Sequence, residues 1–440
     1  MGIFNPAGVF SAVRPKMAFF GDSITAASTA QDTDIATYNF NLGPQSWIEV
    51  LTHQRIRTDK SLNFGISGNT STQMRARVDE VAGCDADIMW VLAGANDPSD
   101  GVTSEEVELF AENMTYIYQR LLNSGKIVIA IPTLNRSLLN PASDNTAATI
   151  QGMQRWVVAQ QHRGYRNFYV VDPNFNWTDP TSTTSAPKTY YDYDGLHPRG
   201  LGMYWICRPV ADLLNQLFPM PYAQPMVSVR DVYNATYNPY GNLLPAGLLA
   251  GSNVNTGSGG PTFTGNWADN LTILGSAGTG GTITGLTVDG SKTTMLDGAI
   301  AQQVVISGTG TGSGASPGSG IILRESVSSP GTKVAAGDRT TAYARIEIED
   351  DTTNIAGIRL RARYTEGGVT YDHVSQWDGI ADLLPTVNDS WTLRTPTRTS
   401  LSAPSAMEFS IWITLRNQSA ATFAGTIRTG QWFWGKEFPF

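Results

Sequence analysis

The turn Gly21-Asp22-Ser23, within the segment FFGDSIT, places a serine directly after a short apolar run. Glycine, aspartate and serine are common turn residues, so this segment by itself is also compatible with an ordinary turn. A serine in such a turn acts as a nucleophile when a base removes its proton, an acid orients that base, and hydrogen-bond donors stabilise the oxyanion. The candidate chemistry is attack of Ser23 on a carbonyl carbon, provided that the chain supplies these partners.

Among the four histidines, His197 is the candidate base. It lies in the irregular segment YDYDGLHPRG, where Asp194 precedes it by three residues. Residues three apart on a tight turn face the same side, so the carboxylate can accept one ring N–H and leave the other nitrogen as a base. This spacing alone is a weak signal. His53 and His162 fall in or at the end of predicted helices, where we expect structural or surface roles, and His373 falls in the β-rich second half.

Two further loops contain candidate donors for an oxyanion. Gly68, in NFGISGNT, follows the second predicted strand, and a glycine lets a backbone N–H approach a ligand closely. Asn96, in LAGANDP, follows the third strand and offers a side-chain N–H. Together with the turn at Ser23, these loops would lie at the carboxyl ends of parallel strands, where open α/β sheets place their sites.

Residues 16–218 alternate short apolar runs with amphipathic stretches. The runs are mostly apolar rather than alternating, which is typical of strands covered on both faces in a parallel sheet. The clearest helix spans residues 103–125 and begins with a capping box at Thr103 and Glu106. This alternation of strands and helices predicts an α/β domain of three layers, α/β/α, with a parallel sheet. Its strands are expected at residues 16–20, 61–64, 87–94, 126–132 and 167–171.

The pattern changes after residue 218, so we expect the first domain to span residues 1–218. Residues 219–260 are rich in turn-forming residues, which suits a linker or an extended packing arm. In residues 261–440 polar and apolar residues alternate with a period of two, which predicts an antiparallel, jelly-roll-like β-sandwich. The Gly-rich run 308–320 is expected to be a loop, and Glu347 to face solvent. The strands are expected at residues 341–349, 356–364, 390–395, 407–415 and 426–434.

Four blocks in the first half, GDSIT, GISGNT, GAND and DGLHP, resemble in this order the sequence blocks of the SGNH hydrolases, also called GDSL esterases and lipases. The resemblance covers about residues 16–218, roughly half of the chain, and four ordered blocks are far more specific than any one of them. Ile24 stands where the family name has a leucine, which is a conservative apolar exchange.

The resemblance implies a role for each candidate residue. Ser23 would be the nucleophile, His197 the base and Asp194 its orienting acid. The backbone N–H of Ser23, together with Gly68 and the side-chain amide of Asn96, would donate to the oxyanion. The implied reaction is acyl transfer to the serine followed by hydrolysis, with no metal and no cofactor.

The composition excludes several classes of function. The net charge is −8 and the sequence pI is about 5.1, so no broad basic surface is available for nucleic acid. Cys84 and Cys207 are the only cysteines, which supports neither a disulfide framework nor a thiolate metal site, and we expect both to be free and buried. We expect no membrane span, since no sufficiently long apolar run occurs.

The first residues lack a signal-peptide pattern, which fits equally a virion protein of a phage tail released by lysis and a cytoplasmic enzyme.

The polar loop before His197 contains several aromatic residues whose rings suit stacking on sugars. This favours an acyl ester, above all an O-acetyl ester, on a carbohydrate or polysaccharide as the substrate. The alternative is that the rings pack the loop onto the domain. The candidate substrate contacts are Trp177, Tyr190, Tyr191 and Tyr193.

The second half resembles, less specifically, a carbohydrate-binding module and segments of phage-tail proteins. Tail proteins of this kind are often trimers, so the chain would be a homo-oligomer in that case. Two alternatives stay open: a general short-chain esterase or lysophospholipase with a structural sandwich, and a tail receptor-binding protein with a silent hydrolase fold. Most tryptophans of this half are expected in the core, with one or two as sugar platforms: Trp267, Trp377, Trp391, Trp412, Trp432 and Trp434.

Overall fold

The computed structural model describes residues 14–27, 35–37, 43–98, 103–136, 145–183, 185–219, 232–244, 249–253, 257–277, 283–296, 298–312, 319–375 and 383–437. The strands of the first half are β1 (Lys16–Gly21), β2 (Ile35–Thr37), β3 (Arg57–Gly65), β4 (Ile88–Leu92), β5 (Ile127–Ile131) and β6 (Phe168–Val170). Its helices are α1 (Ser23–Ala26), α2 (Pro44–Leu51), α3 (Ser71–Ala76), α4 (Val78–Ala82), α5 (Thr103–Asn123), α6 (Asn145–Ala159), α7 (Asn174–Trp177) and α8 (Gly200–Leu217).

The strands of the second half are β7 (Thr262–Gly265), β8 (Thr272–Ala277), β9 (Ile283–Thr294), β10 (Ile300–Gly312), β11 (Ser319–Ser326), β12 (Arg339–Ile348), β13 (Ile355–Glu366), β14 (Val369–Ser375), β15 (Asp389–Arg394), β16 (Arg398–Thr399), β17 (Ala406–Leu415) and β18 (Gln418–Lys436). Within the described residues, no helix has both the length and the apolar character that a bilayer crossing requires.

The first half forms the predicted three-layer α/β arrangement. Its parallel sheet has the order β3-β1-β4-β5-β6, so β1 lies between the strands that precede the two candidate donor loops. Each central strand is buried on both faces. In β4, Trp90 packs on the side of α2 and α8, whereas Met89 and Val91 pack on the side of α3 to α6. The apolar runs without alternation are explained by these two covered faces.

The second half contains two sheets that pack face to face as a sandwich. One has the order β15-β12-β18-β10-β9-β7, with β16 beside β12, and the other has the order β2-β14-β13-β17-β11-β8. The ring of Phe409 lies 4.9 Å from that of Trp432, and the ring of Tyr364 lies 5.0 Å from that of Trp434, across the shared core. The pairing is antiparallel except where β7 joins β9 and β2 joins β14.

Two expectations for the sandwich were wrong. Residues 308–312 and 319–320 of the Gly-rich run belong to β10 and β11, because glycine allows very close strand pairing there. A Cβ at Gly310 would lie 1.9 Å from the carbonyl oxygen of Thr284. Glu347 does not face solvent: it is buried and accepts a hydrogen bond of 2.9 Å from the backbone N–H of Leu296.

The two cysteines are free, as expected, but only Cys207 is buried, whereas Cys84 is half-buried. Within residues 219–260, the described segment around Asn242 packs on β18. The Asn242 side chain donates to the Trp432 carbonyl (2.8 Å) and accepts from the Trp434 N–H (2.9 Å), and Leu243 is buried. These contacts favour a packing arm over a free linker for this part of the segment.

A buried interface joins the sandwich to the α/β half. Asp389 of β15 accepts hydrogen bonds from the Tyr204 hydroxyl (2.5 Å) and from the Arg208 guanidinium (2.7 Å), both on α8. The rings of Trp47 and Trp391 pack edge to face 6.4 Å apart. Strand β2, which lies between α1 and α2 in the sequence, pairs with β14 of the sandwich. The sandwich is therefore fixed on the α/β half by side-chain packing and by a shared strand.

We predict that Asp389→Ala lowers the free energy of unfolding by about 3 kcal/mol, because it leaves the half-buried Arg208 and the hydroxyl of Tyr204 without their shared partner. Urea unfolding followed by tryptophan fluorescence measures this. The matched control is Asp212→Ala, which removes the other carboxylate on Arg208, 2.9 Å away but with a side chain 48% exposed, and should cost less than about 1 kcal/mol. Equal losses in the two variants would contradict a buried locking role for Asp389.

Candidate active site

The turn after β1 can only be formed with its glycine. A Cβ at Gly21 would lie 2.5 Å from the carbonyl oxygen of Leu92 and 2.2 Å from the hydroxyl of Thr25. The next residue, Asp22, caps α1, since its side chain accepts from the Ile24 N–H at 3.0 Å. Ser23 is thereby the first residue of α1 and its side chain is half-buried. The residue types of this turn are thus explained by its contacts with β4 and α1.

The structure brings the three predicted side chains together. The Nε2 atom of His197 lies 2.9 Å from the Oγ atom of Ser23, and its Nδ1 atom lies 2.7 Å from Oδ2 of Asp194. The other carboxylate oxygen of Asp194 accepts from the backbone N–H groups of Leu196 (3.0 Å) and His197 (2.8 Å). The turn thus fixes the carboxylate, which in turn orients the imidazole toward the serine. This arrangement can move a proton from the serine to the histidine.

The charge state of Asp194 suits this arrangement. Partial burial acts to raise its pKa, but the hydrogen bonds from the backbone and ring of His197 and from the Leu196 N–H outweigh burial and hold the pKa below its ordinary value. Asp194 is therefore a carboxylate at neutral pH. An ionised acceptor favours the tautomer of His197 that carries its proton on Nδ1 and leaves Nε2 as a base.

The two predicted donor loops border the serine turn on either side, because β1 lies between β3 and β4. Gly68 has a φ of 79°, in the left-handed region, and a Cβ there would meet nothing within 4 Å. The Nδ2 atom of Asn96 donates to the carbonyl of Asn69 at 3.1 Å, which links the two loops and orients the amide. An amide nitrogen carries two hydrogens, so a second one is available to an oxyanion.

Arg77 is a supporting residue that sequence reasoning missed. Its guanidinium donates to the carbonyls of Gly21 (3.1 Å) and Phe64 (2.7 Å) and to the side chain of Asn69 (2.9 Å). One side chain thus ties together the ends of β1 and β3 and the loop of Gly68. In the sequence it is an ordinary arginine between α3 and α4, and no local pattern distinguishes it.

The four aromatic residues proposed as sugar contacts divide into two pairs. Tyr190 and Tyr193 are 43% and 52% exposed, and the Tyr193 ring stacks on the His197 imidazole at 5.8 Å. Trp177 and Tyr191 are buried, so the expectation that their rings stack on sugars is wrong. They pack against α8 so closely that a Cβ at Gly202 would lie 2.7 Å from the Trp177 ring.

The tryptophans of the sandwich are mostly core residues, as expected. Trp412 is half-buried on β17, with the guanidinium groups of Arg359 and Arg361 lying 4.3 and 4.7 Å from its ring centre. Its ring is therefore covered by cations rather than presented as an open sugar platform, and Trp377 lies outside the described residues. The fully buried ones are Trp267, Trp391, Trp432 and Trp434.

The other histidines lie in structural positions. Burial, and then the positive charges of nearby arginines such as Arg345, lower the pKa of His53 to about 3, and its Nδ1 atom lies 3.2 Å from the Thr392 hydroxyl at the interface. Burial likewise lowers the pKa of His373 to about 4. His162 is exposed in a short 3₁₀ turn after α6.

Asp22 is a buried carboxyl group beside the serine. Its Oδ2 atom has no hydrogen-bond partner among the described residues. Burial raises its pKa to about 7; the hydrogen bond from Ile24 opposes this shift, and the nearby Asp97 carboxylate adds to it. Asp22 therefore binds a proton more tightly in the folded protein than in the unfolded chain.

The sequence of residues 19–204 matches the model of the GDSL-like Lipase/Acylhydrolase family. Three similar solved structures are a GDSL-like lipase from Bacteroides thetaiotaomicron, an acetylxylan esterase from Geobacillus stearothermophilus and a carbohydrate esterase of family 3 from Talaromyces cellulolyticus. They are 19%, 18% and 17% identical, and the alignments cover 47%, 48% and 47% of this chain and 88%, 96% and 98% of those chains. The TM-scores are 0.33, 0.33 and 0.32. No curated protein matches the sequence.

We predict that Asp22→Asn changes how stability depends on pH. Because the pKa is raised on folding, from an ordinary 3.8 to about 7, the stabilising contribution of Asp22 is complete below pH 3.8 and is lost as the pH rises through 7. The wild type should therefore lose stability relative to Asp22→Asn between about pH 4 and 7, with little further change above pH 7, as measured by urea unfolding. Ser23→Ala, which removes no titratable group, should follow the wild type. A difference between Asp22→Asn and wild type that stays constant over this range would contradict the raised pKa.

Proposed function

We propose that the chain is a serine esterase of the GDSL-like lipase/acylhydrolase family, whose model residues 19–204 match, with Ser23 as nucleophile, His197 as base and Asp194 as orienting acid. The observation that carries this proposal is the pair of contacts at His197, 2.9 Å to Ser23 and 2.7 Å to Asp194. Both ring nitrogens are engaged in the pattern that a general base requires.

The proposed reaction has two stages. In the first, the Ser23 oxygen attacks the ester carbonyl while His197 accepts the serine proton, and the tetrahedral oxyanion is bound by the N–H groups of Ser23 and Gly68 and by the Asn96 amide. The imidazolium then protonates the leaving alcohol. In the second stage His197 activates a water molecule, which attacks the acyl-enzyme and releases the acid. No cofactor takes part in these steps.

We propose further that the ester is an O-acetyl group carried on a polysaccharide. The exposed rings of Tyr190 and Tyr193 support this, since both lie in the segment that carries Asp194 and His197. Tyrosine rings offer an apolar face to a sugar and a hydroxyl for hydrogen bonding. A general short-chain esterase or lysophospholipase is the second candidate. A tail protein with a silent site is disfavoured by the complete set of hydrogen bonds around His197.

The catalytic roles predict a graded loss of p-nitrophenyl acetate hydrolysis. Ser23→Ala should lower kcat by about 10⁴-fold or more, because no acyl-enzyme can form. Asn96→Ala should lower it by about 10² to 10³-fold, because one oxyanion donor is lost. The matched controls are Ser61→Ala and Asn123→Ala, at exposed positions on β3 and at the end of α5. Wild-type rates in Ser23→Ala would end the proposal of a serine mechanism.

The substrate class predicts a preference for polymer. Acetate release from acetylated polysaccharides, measured as kcat/KM per acetyl group, should exceed that from a simple alkyl acetate, and Tyr193→Ala should lower the rate on the polymer more than the rate on the small ester, which removes most of this advantage. Tyr193→Phe, which keeps the ring, should retain the advantage. A wild type that prefers the small ester, or long acyl chains, would favour the second candidate.

A further inference from the structure

The sandwich contributes a cation to the segment that carries the catalytic aspartate and histidine. Arg416 lies in the turn between β17 and β18, and its guanidinium carbon lies 4.4 Å from the ring centre of Tyr190. Tyr190 is four residues from Asp194 and remains 43% exposed. It has a φ of 70°, in the left-handed region that a bulky residue adopts only where its surroundings hold it.

The backbone of Arg416 is fixed by neighbouring residues of the sandwich. Its N–H donates to the carbonyl of Asn354 at 2.9 Å, and its own carbonyl accepts from the N–H of Gln418 at 2.9 Å. The side chain of Asn354 is in turn bound to the carbonyl of Thr422 at 2.8 Å. Because the whole sandwich is also locked on α8 through Asp389, the position of Arg416 relative to the α/β half is set before any ligand binds.

Arg416 differs from other arginines of the sandwich in its partner. Arg361, Arg398 and Arg428 each form a salt bridge with a glutamate. Among the described residues Arg416 is paired with no carboxylate, and its side-chain contact is the ring of Tyr190. Within the described ranges the guanidinium of Arg416 donates no hydrogen bond, so its N–H donors are available to a ligand. Those donors match the two oxygens of a carboxylate.

We propose that Arg416 is a specificity-determining residue that binds a carboxylate of an acidic polysaccharide while the ester of that polysaccharide lies at Ser23. This inference rests on the proposed esterase function. The chain has a net charge of −8, which repels an acidic glycan, so binding of one depends on a local cation; Arg416, which lies on Tyr190 with no carboxylate partner in the part of the chain that the structure describes, is such a cation. The exposed rings of Tyr190 and Tyr193 would contact the sugar rings beside that carboxylate.

The test is inhibition of p-nitrophenyl acetate hydrolysis by oligogalacturonate, compared with the same oligomer after methyl esterification of its carboxyl groups. The wild type should be inhibited more strongly by the acid form. Arg416→Gln should raise the inhibition constant of the acid form about tenfold, as expected when a charge-assisted hydrogen bond is lost, and should leave that of the methyl ester unchanged. Arg416→Lys keeps the charge but loses the planar fork of donors, so its inhibition constant for the acid form should lie between those of the wild type and Arg416→Gln.

The matched control is Lys333→Gln, which removes a cation that lies 6.0 Å over the Tyr233 ring. Lys333 lies over the same ring as Lys436, the last residue of β18, whereas Arg416 precedes the first residue of that strand. The two cations therefore belong to opposite ends of β18. Lys333→Gln should therefore behave as the wild type.

The outcomes separate the two proposals. A wild type that does not hydrolyse p-nitrophenyl acetate would overturn the esterase function itself. If hydrolysis is intact, then equal inhibition by the acid and methylated oligomers, no inhibition by either, or an equal effect of Arg416→Gln on both would overturn the role of Arg416. The free energy of unfolding of Arg416→Gln, measured with urea, should stay within about 1 kcal/mol of the wild type, since one cation–π contact is lost, and this shows that the variant folds.

Discussion

The hydrogen bond between His197 and Ser23 joins residues 174 positions apart, and the first half of the structure can be understood from what that contact requires. Ser23 is delivered by a buried central strand whose end is too crowded for any residue but Gly21. His197 is delivered by a turn whose N–H groups are satisfied by the Asp194 carboxylate. A displacement of about 1 Å of either side chain would break a hydrogen bond of this length, so Ser23 and His197 both lie on rigid elements.

That rigidity comes from partly buried polar groups whose partners lie on other elements. Arg77 satisfies three acceptors at the ends of β1 and β3 and in the loop of Gly68. Asp389 accepts from two donors of α8, the Tyr204 hydroxyl and the Arg208 guanidinium, and so joins the sandwich to that helix. In a low-dielectric interior an unmatched polar group is costly, so each of these networks favours one arrangement of its elements over all others. The sandwich is held as part of the structure that surrounds the proposed site, and Arg416 on Tyr190 is the point where it reaches the segment of His197.

Much of the fold was predictable because the determinants are local. Strands buried on both faces need unbroken apolar runs, and those runs at β1, β4, β5 and β6 were found within about two residues of their ends. The errors occurred where a neighbouring element changed the environment of a residue. Glu347 lies at a position of a strand that alternation assigns to solvent, but the turn at Leu296 covers it. The same reason accounts for Trp177 and Tyr191, which α8 covers.

The sequence by itself determined the chemistry that is available: which residue types follow the strands, their order along the chain, and the layers into which apolar periodicity sorts the elements. These features depend on contacts of a residue with its own strand or turn. Only the tertiary structure decided that Arg77 supports the loop of Gly68, that Tyr190 and Tyr193 remain exposed, and that Arg416 lies on Tyr190. Such pairings join residues distant in sequence, and they depend on the register and packing of whole elements, to which no local pattern of residues corresponds.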